Sequence, residues 1–126
     1  MKPQFNNAQP IFRQIIDHVL QAIATGELPP GGKVPPVREL ALDYKVNPNT
    51  VQKSLSKLED MGYLYTERTS GRYVTQDLAL IESLKARLPA QITEKYVTQM
   101  GECGIPPRET PAYLTSHIER MGTHHG

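Results

Sequence analysis

The chain has 126 residues, 38% of them hydrophobic, with 14 Lys and Arg against 13 Asp and Glu and a net charge of +1. That allows one core of moderate size plus an appendage, and excludes a polycation that coats nucleic acid by charge alone. Cys103 is the single cysteine, so no internal disulfide framework exists and a reducing compartment is expected. The N-terminus is polar and no apolar run approaches about 18 residues, so a soluble, cytoplasmic protein with no membrane partner is expected.

Residues 1–9 read as a flexible lead-in. From Pro10 a first helix carries Phe12, Ile15, Ile16, Val19, Leu20 and Ile23 at helical spacing, and Gly26 stops it. The stretch 28–36 holds four prolines and two glycines and cannot be helical, so it reads as a stiff connector. A short helix follows from about Pro36 to Tyr44, with Val37, Leu40 and Ala41 inward. After Lys45 and Val46 a third helix starts with Asn47 as N-cap and Pro48 in its first position, and runs to about Met61. Tyr63–Glu67 and Arg72–Thr75 are rich in strand formers and flank the Gly-containing turn Arg68-Thr69-Ser70-Gly71. Helix, helix, helix, hairpin is the order of a winged helix-turn-helix over residues 10–75, so the fold class is mainly α with a two-stranded hairpin.

Residues 77–121 read as a helical dimerisation and effector region. Ile81, Leu84, Leu88, Ile92, Tyr96 and Met100 mark one long helix. Pro89 removes a backbone donor and clashes with the carbonyl four residues back, so a kink or break is expected near Lys85 to Pro89. Thr110 is expected to cap a last helix, with Pro111 at its first position and Tyr113, Leu114, His117, Ile118 and Met121 inward. Residues 122–126 read as a tail. His124 and His125 make at best a poor metal site, and none is assigned.

The third helix is the candidate reading head. Asn49, Gln52, Lys53 and Ser56 share its outer side. Asn and Gln pair bidentately with adenine edges, and Thr50 can meet a thymine methyl. Lys53 and Lys57 suit phosphate or guanine. A solvated helix face with no ligand is the alternative. Arg68 and Arg72 flank a tip where Gly71 allows close approach to a backbone or minor groove, unless this is a plain exposed turn. Arg38, in the first turns of the second helix, can hold a phosphate or reach a base, or else pair with a carboxylate such as Asp43. No paired acid and base, phosphate loop, nucleotide fingerprint or Ser/His/Asp spacing appears, so neither an enzyme nor a cofactor is expected.

These blocks resemble the GntR family of bacterial transcription regulators. The resemblance runs through Pro10-Ile11-Phe12-Arg13-Gln14-Ile15, Ile23-Ala24-Thr25-Gly26-Glu27-Leu28-Pro29-Pro30-Gly31 and Val34-Pro35-Pro36-Val37-Arg38-Glu39-Leu40-Ala41. It continues in Val46-Asn47-Pro48-Asn49-Thr50-Val51, Leu58-Glu59-Asp60-Met61-Gly62-Tyr63-Leu64 and Gly71-Arg72-Tyr73-Val74. The short remainder looks like the YtrA-type branch. The resemblance implies a dimeric repressor, often of genes for ABC-type transporters, with Arg38, Asn49, Thr50, Gln52 and Gly71 on DNA-contact positions. One departure is Pro36, where the family usually has a capping Ser; with Glu39 that Ser would form a capping box.

The expected partners are double-stranded operator DNA and a second copy of the chain. Asn47, Asn49, Thr50, Gln52, Lys53, Arg38, Arg68, Gly71 and Arg72 would meet the DNA. Ile81, Leu84, Leu88, Ile92, Tyr96, Tyr113, Leu114 and Ile118 would pair the subunits. A small-molecule effector, if there is one, is expected between subunits, with Pro89 as a joint. A winged-helix module that binds protein rather than specific DNA is the alternative.

Overall fold

The computed structural model describes residues 5–125, and side chains up to residue 122. Each element can be traced to its local sequence. Helix α1 (Ile11–Thr25) buries Ile15, Ile16, Val19, Leu20, Ala22 and Ile23, the apolar stripe expected of an amphipathic helix. It ends at Gly26, which is left-handed and donates its N–H to Ile23 O. Helix α2 (Val37–Tyr44) follows Pro36, which as its N-cap makes no side-chain cap bond. Lys45 closes α2 in the left-handed region at φ 57°. Helix α3 (Pro48–Asp60) buries Val51, Ser54, Leu55 and Leu58. Strands β1 (Leu64–Glu67) and β2 (Gly71–Val74) pair antiparallel, with Leu64 opposite Val74, Tyr65 opposite Tyr73, Thr66 opposite Arg72 and Glu67 opposite Gly71.

Packing joins α1 to α3, α2 to α3, and α3 to β1. Fully buried Ile15, Val19, Ile23, Leu40, Val51, Leu55, Leu58 and Val74 fill the core. Each such side chain contributes about 1.5–3 kcal/mol relative to exposure. Inside this core, the Ser54 hydroxyl lies 2.9 Å from Thr50 O and 3.2 Å from Phe12 O, a three-centre bond that ties α3 to α1.

The connector does more than link. Val34 N–H donates to Arg72 O, Val74 N–H to Gly32 O, and Gly31 N–H to Val74 O, each at 2.9 Å. Lys33 thereby forms a bridge to Tyr73. The prolines either side stop this contact from growing into a full strand, because they carry no N–H for the ladder.

Within the expected lead-in, residues 5–9 make contacts with α1 and α2. Asn6 N–H donates to Gln14 Oε1, and Gln14 Nε2 donates back to the Asn6 and Gln9 carbonyls. The Phe5 ring meets Tyr44 edge-on at 5.4 Å. Residues 1–4 of the lead-in lie outside the described residues.

By its contacts the chain divides after Ala86 into two compact units. Helix α4 (Leu78–Glu102) passes from the first into the second and contains Pro89 without a break. Pro89 and Lys85 are both exposed, so water can serve the carbonyl that the proline leaves unpaired. Helix α5 (Thr110–His125) completes the second unit. Thr110 does not act as the expected cap: it lies inside the helix, and its hydroxyl donates to Pro106 O at 3.1 Å. The expected tail is helical through His125, while residue 126 and the side chains of His124 and His125 lie outside the described set. No helix of the described residues is long and apolar enough to cross a membrane.

Ile81 and Leu84 correct the expected subunit interface. Both are buried, at 3% and 0% exposure, within the first unit. They belong to the core of one chain, because the start of α4 packs within the first unit. Leu88 and Tyr96 are half-buried. Ile92, Tyr113, Leu114, Ile118 and Met121 are exposed.

Candidate nucleic-acid interface

The start of α3 is built from its sequence outward. Asn47 Oδ1 accepts the Asn49 N–H at 2.8 Å, and Pro48 occupies the first turn without needing a donor. The cap uses Asn47's oxygen and leaves its amide nitrogen for another partner. Because Val51, Leu55 and Leu58 point inward, the 3.6-residue period carries Asn49, Gln52 and Lys53 to the outside, where all three are exposed. Thr50 and Ser56 are half-buried at the edge of this face. Lys53 Nζ lies 5.9 Å from the centroid of the Phe12 ring, a cation–π contact that steadies its stem.

The wing meets this face through an interaction the sequence did not reveal. Arg72 Nε donates to Glu59 Oε1, which also accepts the Thr66 hydroxyl at 2.9 Å. Arg72 Nη1 reaches Gln52 Oε1 at 3.4 Å, and Gln52 Nε2 reaches Ser56 Oγ at 3.3 Å. Arg72 is therefore not a wing-tip cation: its side chain is only 18% exposed and turned onto α3. Thr66 and Arg72 are direct cross-strand partners, so the hairpin register puts both beside Glu59. Arg68 and Gly71 remain exposed at the turn. Gly71 sits at φ 115°, which side-chain-bearing residues avoid. Tyr65 and Tyr73 stack at 5.8 Å across the hairpin, and the Tyr73 hydroxyl donates to Ser70 Oγ at 2.9 Å.

Between connector and wing lies an open cleft of about 440 Å³, lined by Lys33, Pro35, Pro36, Val37, Ser70 and Gly71 among others. Lys33 was not among the expected contact residues. Its only sequence signal is a basic residue inside a proline-rich stretch. Arg38 is exposed at the start of α2 and borders a groove with Leu42, Val46 and Pro48. Away from the interface, His18 Nδ1 and the Tyr44 hydroxyl share a 3.1 Å hydrogen bond. Burial holds the His18 pKa below its usual 6.5, opposed by nearby Glu27, and burial raises that of Tyr44. The second unit carries an open groove of about 550 Å³ along α5, which includes Arg108, Tyr113 and Ser116, rather than an enclosed ligand chamber.

Three helices, a capped polar helix start and a hairpin locked beside it define a winged helix-turn-helix, the head of a DNA-binding transcription regulator. The family model "Bacterial regulatory proteins, gntR family" matches residues 12–74, and the chain belongs to that family. It is similar to the uncharacterized HTH-type transcriptional regulator YhcF of Bacillus subtilis, at 38% identity over 86% of this chain and 90% of that protein. It is also similar to the HTH-type transcriptional repressor YtrA of the same organism, at 34% identity over 70% and 69% of the two chains. Among solved structures, a GntR family transcriptional regulator from Listeria monocytogenes superimposes with a TM-score of 0.81 at 35% identity, covering 89% of this chain and 98% of that one.

Proposed function

We propose that the chain is a homodimeric repressor that places one α3 in the major groove of each half of an inverted-repeat operator. The observation that carries this reading is the outward face of Asn49, Gln52 and Lys53 on a capped helix start, with a wing fixed next to it. Gln52 would read a base edge, Asn49 and Thr50 would read its neighbours, and Arg38, Lys53 and Arg68 would meet phosphates or bases. The resemblance to YtrA, itself a repressor by name, supports repression. The YtrA-type resemblance extends the reading to genes for ABC-type transporters.

A two-fold protein fits a two-fold operator. The exposed apolar side chains Ile92, Tyr113, Leu114 and Ile118 supply a face for the second copy. Selection of bound DNA from a random pool, followed by binding of Gln52→Ala, tests the reading. The selected sites are expected to be inverted repeats. The variant is expected to lose about 1–3 kcal/mol of operator binding and its preference at one base position. Selection that yields no consensus would sink the proposal in favour of a protein-binding winged helix.

A further inference from the structure

We infer that Arg72 and Glu59 are specificity-determining positioning residues, which fix the amide of Gln52 in one orientation and so decide which base edge it reads. This rests on the proposal that Gln52 contacts a base. A glutamine amide can turn over and exchange its donor and acceptor sides, and a free Gln52 would present either. Arginine carries only donors. With Arg72 Nη1 against it, Gln52 can offer Oε1 on the wing side but not its NH₂. On the other side Nε2 donates to Ser56 Oγ. One lone pair on Oε1 and one N–H on Nε2 then remain, the acceptor and donor that match the N6 amino group and N7 of adenine.

Arg72 can hold this position because it is itself held. Its Nε donates to Glu59 Oε1, and Thr66, its direct cross-strand partner, donates to the same oxygen. Glu59 lies two turns beyond Gln52 on α3, half-buried, and need not touch DNA to act. The wing thereby acts on recognition through the helix, in addition to any contact of its own tip.

The test compares Arg72→Leu, Glu59→Gln and Gln52→Ala on the selected operator and on its single-base variants, over a series of salt concentrations. Thermal unfolding confirms that each variant is folded, and Glu59→Gln keeps the experiment decisive if Arg72→Leu is not. Gln52 pairing should provide roughly 5- to 150-fold discrimination at one position. Arg72→Leu and Glu59→Gln are expected to cut it to about threefold or less at that same position. The salt dependence should stay unchanged, and Arg72→Leu should add no further loss of discrimination to Gln52→Ala.

The inference is overturned if Arg72→Leu weakens all sequences alike and lowers the salt slope by about 0.9, since that marks a phosphate contact. It is equally overturned if Arg72→Leu relaxes a different base position, since Arg72 would then read DNA itself. Relaxation by Gln52→Ala but by neither partner variant removes the positioning role alone. A Gln52→Ala protein with full base preference removes the underlying reading of α3 as well.

Discussion

Asn47 shows how much depends on a single oxygen. Its side chain satisfies the Asn49 N–H at the exposed start of α3. Asn47→Ala is expected to cost about 0.5–2 kcal/mol in urea unfolding, with Asn47→Asp close to wild type. Ser54 is the buried counterpart, bonded to the carbonyls of Thr50 and Phe12. His18 adds a dependence on pH. Its folded pKa is held below the usual 6.5 by burial, so the neutral form is favoured in the native state. The unfolded chain then binds more protons in this range. This contribution is complete above pH 6.5 and is lost as pH falls through the lower folded value. His18→Gln should flatten that part of a stability–pH curve measured by thermal unfolding.

At the level of elements, α4 changes role along its length. Its first two turns bury Ile81 and Leu84, and its later turns bury no side chain fully. Leu84→Ala is expected to destabilise the chain by about 2–5 kcal/mol, as for other buried leucines. The same change at exposed Ile118 should leave monomer stability nearly unaltered. Pro89 sits in an uninterrupted helix at the cost of one backbone bond. Pro89→Ala is therefore expected to raise the thermal midpoint, by up to the equivalent of about 3 kcal/mol. No change or a fall would mean that neighbours already compensate for the proline.

For the whole molecule, near-neutral charge and a local reading face belong together. With a net charge of +1, affinity for random DNA should be weak, and specificity must come from placed side chains. Assembly is the other property at this scale. Replacing Tyr113 and Ile118 with Ser is expected to give monomers in sedimentation and a large loss of operator affinity, because one reading head replaces two. A variant that still sediments as a dimer would locate the interface elsewhere.

Much of this protein was legible in its sequence. Helical spacing, the Asn47-Pro48 start and the Gly-containing turn determined the helices, the hairpin and the outward face of α3, because capping, turn geometry and periodicity act over a few neighbouring residues. Tertiary structure decided what depends on residues far apart in the chain. It made Ile81 and Leu84 core rather than interface, joined the proline-rich connector to β2, and turned Arg72 from the wing tip onto Glu59 and Gln52. A charge pattern shows which residues can pair, but the choice among partners is made only when packing brings a strand beside a helix.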